Sequence, residues 1–478
     1  MPSRHVSLKD TEPPALREGL RRLRAGLGVP GEFPADVQAE AERAAAAGPV
    51  LPSRDCTDIE FVTLDPEGST DLDQAFHLSR VGSGYLLRYA IADVAAFVAP
   101  GGRLDAETHE RGETLYAPTR KIPLHPAVLS EGAASLLPDQ TRPALVWELS
   151  MDATGALIDT RVARGTVRSR AKLTYTGAQA DLDAGRGGEQ LELLRTVGTL
   201  RQQIEVERGG VSLSVPEQEI VATDQRWELA YRAPLPVEDW NAQLSLATGM
   251  AAAALMLKAG VGILRTLPPA RDGSIAKLRR TASALGISWP HAMGYPEFVR
   301  SLSASVPAHA AMLNACTMLF RGAGYQAFTG TAPDQPMHAA IAAPYAHTTA
   351  PLRRLVDRYT GEVCVAICAG VPVPDWVAEA LPGLPSVMDE ADRRAKKYER
   401  GTIDLVEAMV LAPHLGQTFT GTVLEVDTED DFGVLQLPDP AVEAKVKGGD
   451  LVLGQQIPAT LVSADLLAGK VEFRVFAT

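Results

Sequence analysis

Cysteine is scarce in this chain, with four among 478 residues (Cys56, Cys316, Cys364 and Cys368). Their spacing matches neither a disulfide framework nor a zinc site. Cys364 and Cys368 lie one helical turn apart in an apolar segment, with no second pair beside them, and are expected to be buried reduced thiols. Long uncharged apolar runs are missing too, so no membrane span is expected. The alanine-rich run at residues 250–256 is short and continues into Lys258. A signal-peptide pattern is lacking, because Arg4, His5, Lys9 and Asp10 stand where its apolar core would be. A cytoplasmic address is the expectation. Positive charge is in deficit, the net charge being -13, which taken alone argues against a nucleic-acid partner. Binding follows the local field rather than the total, however. Basic residues gather at residues 164–172, at Arg353-Arg354 and at residues 393–397. An acidic exterior with basic patches leading inward suits a channel for a polyanion, although any one patch also suits a solvated helix face. Core material is ample: 46% of residues are hydrophobic and the mean hydropathy is -0.02, in a chain long enough for two to four domains.

Residues 61–77, FVTLDPEGSTDLDQAFH, carry the most chemistry. An apolar strand ends in Asp65, and Pro66, Glu67, Gly68 and Ser69 supply turn chemistry. Asp71 and Asp73 follow, separated by Leu72. Three carboxylates within nine residues repel one another unless a cation sits among them. Hard divalent cations such as Mg²⁺ favour carboxylate and water oxygens, with substrate phosphates completing the shell. A magnesium site that handles phosphate is one reading. An Asp-rich turn, with Asp71 or Asp73 as a cap, is the other.

The stretch resembles the signature of the RNB catalytic domain of the ribonuclease II / ribonuclease R family, a strand ending in Asp, a short loop and an Asp-x-Asp-Asp cluster. Asp65, Asp71 and Asp73 fall on three of the four acidic positions, and Gln74 stands on the fourth. Ala92-Asp93-Val94-Ala95, Tyr116-Ala117-Pro118, Leu129-Ser130-Glu131 and Leu173-Thr174-Tyr175 continue the likeness. So does Tyr345-Ala346-His347-Thr348-Thr349-Ala350-Pro351-Leu352-Arg353-Arg354, with Ala350 and Leu355 replacing the family's Ser and Tyr. Residues 391–400 resemble its Ala-Glu-Arg helix and place Glu399 on the functional glutamate. Pro351 suits the first turn of a helix. Arg353 would then project from that turn towards a phosphate, or form an ion pair with Asp357.

The resemblance implies a multidomain α+β protein, with a mixed α/β RNB domain at 49–412. The strand-like, period-two segments from residue 416 onward fit a five-stranded OB barrel of S1 type at 416–478. Residues 1–48 read as two short helices about a Gly-Val-Pro-Gly break: a helical cap, or a helix-turn-helix. The cold-shock barrels that usually precede the family's catalytic domain have no room here. A monomeric, Mg²⁺-dependent enzyme that hydrolyses RNA processively from its 3′ end to nucleoside 5′-monophosphates is implied. Asp65, Asp71, Asp73 and Gln74 would hold metal, and Asp73, Arg353 and Glu399 would serve the chemistry. Tyr116, Arg353, Arg354, Phe419 and Phe432 would touch RNA, entering single-stranded and, without barrels to guard the mouth, structured as well. Gln74 brings no charge, so one of two metals would bind weakly. It also motivates a rival reading, a catalytically impaired RNA-binding protein. A DNA-binding regulator with an N-terminal helix-turn-helix is a more distant one.

Overall fold

The computed structural model describes residues 13–116, 121–212, 217–223, 226–232, 234–303, 306–427 and 432–476. Two helices come first, α1 (Pro14–Gly26) and α2 (Ala35–Ala47). They do not pack on each other as a module. Leu16 and Leu20 of α1 enter the core shared with the C-terminal barrel, whereas Val37 and Ala41 of α2 enter a core of the catalytic domain.

A closed barrel follows, formed by β1 (Phe61–Asp65), β2 (Gln74–Val81), β3 (Gly84–Ala92), β4 (Thr141–Met151) and β5 (Leu157–Thr174). Helix α3 (Arg103–Arg111) lies between β3 and β4. Each strand is antiparallel to the next, and β1 closes the barrel by running parallel to the end of β5. Alternation along β3 and β4 turns Leu87, Tyr89, Trp147 and Leu149 into one core while Ala90, Ala144 and Val146 serve a second. Truncating such a fully buried leucine to alanine costs roughly 2–5 kcal/mol.

Helices α4 (Tyr175–Asp183), α5 (Gly188–Arg208) and α6 (Pro236–Ala259) cover the first core, and a hairpin of β6 (Glu217–Thr223) and β7 (Arg226–Arg232) precedes α6. By length and apolar composition α6 would suit a membrane, yet half of its apolar window is buried within the protein, where Leu244, Ala252 and Met256 join the core. Strand β8 (Val261–Thr266) and the helical group α7 (Asp272–Ala284), α8 (Tyr295–Arg300) and α9 (Pro307–Cys316) come next. Strand β9 (Gly324–Thr329) pairs with β8, and the short β10 (Met337–His338) pairs with β11 (Ala343–Pro344). Helix α10 (Leu355–Ala369) is buried on nearly every side, and α11 (Asp375–Ala380) leads into α12 (Leu384–Leu411).

The chain ends in a second closed barrel of β12 (Thr418–Asp427), β13 (Phe432–Leu437), β14 (Val442–Lys447), β15 (Gln456–Asp465) and β16 (Lys470–Arg474). Helix α12 joins the two halves. In its first half Arg394 donates to the carbonyls of Glu110 and Arg111. In its second half Glu407 accepts from the Glu443 amide of β14 and from Gln218 of β6.

Candidate active site

The acidic stretch is built as its pattern dictates. Leu72 is fully buried, its amide donating to Ser135 Oγ and its carbonyl accepting from Leu136. With Leu72 turned inward, Asp71 and Asp73 emerge on the other side, beside Asp65 at the end of β1. The charge of Asp71 acts on both of the other carboxylates. Burial pushes Asp65 up to about 7, and the charge of Asp71 adds to that, while Arg353 and Lys172 pull the opposite way. Burial also raises Asp73 well above the usual carboxylate range, opposed by Arg353 and the Leu352 amide.

Arg353 reaches this group from residues 345–354. That segment lies against α6 at Gly249, where a side chain would stand 2.2 Å from the Tyr345 ring. The Ala346 amide donates to the Gly249 carbonyl at 3.1 Å. Beyond that point side chains seize the backbone. Gln74 Nε2 donates to Thr349 O (2.7 Å), the Ala350 amide donates to Asp357 Oδ1 (2.7 Å) and the Leu352 amide donates to Asp73 Oδ1 (2.7 Å). His125, held neutral with its pKa lowered to about 4 by burial, donates from Nδ1 to Leu352 O. These bonds hold the segment out of the helix. Pro351 and Arg353 therefore sit in the turn before α10, which begins at Leu355, and not in its first turn. Arg353 Nε stands 3.7 Å from Asp73 Oδ2.

The two adjacent arginines have different fates. Arg354, expected to touch RNA, commits its Nε and Nη2 to Asp357 at 2.8 and 2.9 Å, so the ion pair with Asp357 belongs to it rather than to Arg353. Gln74, expected among the metal ligands, also has another use. Its Oε1 accepts from the Tyr89 hydroxyl and its Nε2 is spent on Thr349. Glu399 is exposed on α12, and no contact among the described residues joins it to the carboxylates. Tyr116 is half-buried beside the Leu115–Ile122 bridge. Phe419 is a partly buried wall of the second barrel, edge-on to Phe473 at 5.9 Å. Phe432 is half-buried with Lys445 Nζ 3.8 Å over its ring.

Several residues at the site were given no role there from the sequence. Lys121 bridges Asp71 Oδ1 (3.0 Å) and Glu131 Oε1 (2.6 Å). Lys172 donates to the Ser69 carbonyl at the turn after Asp65. Tyr175 and the Leu64 carbonyl share Asn241 Nδ2 at 3.4 Å. Lys172 lay in a basic cluster, and Glu131 and Tyr175 in stretches that resemble the family.

Among the described residues, no three acidic, His or Cys side chains close into a complete metal-ligand set. The donor chemistry nevertheless suits a hard divalent cation. Asp65 and Asp71 are mutually repelling carboxylates on fixed elements, and such a site leaves coordination positions for water and phosphate.

The RNB domain profile matches residues 53–367, well over half of the chain. The chain belongs to the RNB family. Residues 417–476 match the RNase II-type exonuclease C-terminal S1 domain, which covers the second barrel. Ribonuclease R of Escherichia coli (strain K12) is 26% identical over 420 residues, covering 82% of this chain and 50% of that protein. The exosome complex exonuclease RRP44 homolog A of Arabidopsis thaliana is 28% identical over 374 residues, covering 73% of this chain and 39% of that protein. The RNB chain thus spans half or less of these two relatives. Among solved structures, Mycoplasma genitalium RNase R in complex with ribose methylated single-stranded RNA superposes with a TM-score of 0.86 at 19% identity, over 97% of this chain and 78% of that one. Yeast Ssd1, a pseudonuclease, superposes with a TM-score of 0.70 at 18% identity, over 86% and 53%. Both are likenesses of fold. Ahead of β1 the described residues hold the helices α1 and α2.

Proposed function

We propose that this RNB chain is a Mg²⁺-dependent exoribonuclease that hydrolyses RNA from the 3′ end to nucleoside 5′-monophosphates. The observation that carries the reading is the meeting of Asp65, Asp71 and Asp73 with Arg353, brought from a segment some 280 residues away. Asp65 and Asp71 would hold the metal, whose chemistry is to activate water and steady the leaving 3′ oxygen. Arg353, partly exposed and 3.7 Å from Asp73, is available to bind the scissile phosphate as charge builds there. Asp73 sits between the Leu352 amide and Arg353, so it orients that guanidinium while its own charge is disfavoured by burial. Tyr116 and the S1 barrel would hold the strand through base stacking, with 2′-hydroxyl contacts selecting RNA.

The test is product analysis on digestion of uniformly labelled RNA with and without Mg²⁺, using Asp73→Asn as control. Mononucleotide release that needs Mg²⁺ and Asp73 is expected. A protein that binds the RNA and leaves it intact would overturn the enzyme reading. It would favour the second one, an RNA-binding protein on the RNB fold, for which the neutral Gln74 and the fold shared with a pseudonuclease speak.

A further inference from the structure

Asp71 is not free in the structure: Lys121 holds it. The ammonium lies 3.0 Å from Asp71 Oδ1 and 2.6 Å from Glu131 Oε1, with the Lys121, Asp71 and Glu131 side chains 15%, 11% and 31% exposed. Both of its partners sit on fixed elements. Asp71 is pinned through Leu72 and Ser135, and Glu131 lies in the single π-helical turn Leu129–Ala133. Lys121 itself follows residues 117–120 and precedes Ile122, which exchanges two backbone hydrogen bonds with Leu115. Its base is therefore anchored while its four-carbon stem can swing.

A divalent cation on Asp71 would meet that ammonium within a few ångströms. Like charges so close in a partly buried site oppose each other strongly. The ammonium has somewhere to go, because Glu131 already holds it at the shorter distance. Among the described residues Glu131 pairs with no other cation, and Lys121 alone links it to the acidic group. We propose that Lys121 is a built-in competitor for Asp71 and that Glu131 is the seat to which it withdraws, so that this pair sets how tightly the site takes a divalent cation. The inference rests on the metal reading of the site given above. It makes Lys121 and Glu131 positioning residues, acting through Asp71 rather than on substrate.

The experiment is metal binding to the full chain, by Mg²⁺ calorimetry and Mn²⁺ electron paramagnetic resonance, in the wild type, Lys121→Gln, Glu131→Gln, the double variant and Lys121→Arg. Lys121→Gln is expected to bind about five- to tenfold more tightly, because the competing charge is gone. Glu131→Gln is expected to bind roughly threefold or more weakly, because Lys121 is left with Asp71 alone. The double variant should match Lys121→Gln. Lys121→Arg, which keeps the charge, should stay near the wild type and serves as a second reading should Lys121→Gln melt without cooperativity. Unchanged or weaker binding by Lys121→Gln, or an equal tightening by Lys121→Arg, overturns the inference. So does a Glu131→Gln weakening that persists in the double variant, since Glu131 would then attract the metal directly. If every protein including the wild type fails to bind either metal, the metal reading falls and the inference with it. If the wild type binds and Lys121→Gln does not differ from it, only the inference falls.

Discussion

Replacing Gln74 with glutamate changes one nitrogen to oxygen and tests what that side chain is for. In the wild type the amide nitrogen donates to Thr349 O at 2.7 Å while the amide oxygen accepts from Tyr89. The variant puts two oxygens face to face. Losing a hydrogen bond and leaving its acceptor unsatisfied costs about 1–3 kcal/mol. The new carboxylate also enters a region where burial already drives its neighbour Asp73 towards the protonated form. A folded pKa raised by even one unit adds about 1.4 kcal/mol above that pKa. Gln74 is only half-buried, so about 3 kcal/mol at pH 8 is the expected total loss. The sign with pH follows from linkage. An acid whose folded pKa exceeds its unfolded one binds more protons when folded, so the penalty grows as pH rises between the two values. Below that window the carboxyl is protonated and donates to Thr349, and the loss falls to about 1 kcal/mol. Urea unfolding of Gln74→Glu and wild type at pH 4 and pH 8, on either side of the window, measures both numbers. Equal stability at pH 8, or the same penalty at both pH values, would refute the strut role. If Gln74 were a metal ligand instead, the added charge would tighten Mg²⁺ binding and Mg²⁺ would recover the lost stability.

Three further outcomes are expected. Asp73→Asn keeps an oxygen to accept the Leu352 amide and removes a charge that burial disfavours, so the melt at pH 8 should rise by about 1–2 kcal/mol in stability while mononucleotide release falls at least about 10³-fold. Arg353→Lys keeps the charge but loses the guanidinium fork; kcat on labelled RNA should fall about 10- to 100-fold with an unchanged melting temperature. Burial raises Glu407 to about 7, so the folded protein binds the extra proton and loses stability as pH rises from about 4.5 to 7. Glu407→Gln keeps an acceptor for Gln218 and Glu443, and should flatten that slope by up to about 3 kcal/mol in thermal unfolding at pH 5 and pH 8.

What the sequence shows of this molecule follows from local rules. The period-two segments after residue 416 form the second barrel. The strand, turn and carboxylates at residues 61–73 lie close together in the chain, so their grouping could be read directly. What stayed hidden was decided at long range. Arg353 and Arg354 are identical side chains in adjacent positions. The family likeness singled out Arg353 for the chemistry, but why it and not Arg354 faces the carboxylates lies in Asp73 and Asp357 capturing the amides of Leu352 and Ala350. Lys121 is fifty positions from Asp71 and is delivered by the Leu115–Ile122 pairing. The parallel contact of β1 with β5 joins residues more than a hundred apart and closes the first barrel. The N-terminal helices look like a pair in the sequence because they are consecutive. They separate in space because their apolar faces match different cores.

Helix α12 runs unbroken for 28 residues, about 42 Å of rigid rod. Arg394, ten residues past its start, grips the carbonyls just before Gly112, where the path to Lys121 begins, and Glu407, 13 residues further on, is bolted to β14. The rod works as a caliper. The span between the S1 barrel and the catalytic floor is set by how many residues the helix contains, so adding or removing one turn, about 5.4 Å, would reset the gauge without altering a single residue at either jaw.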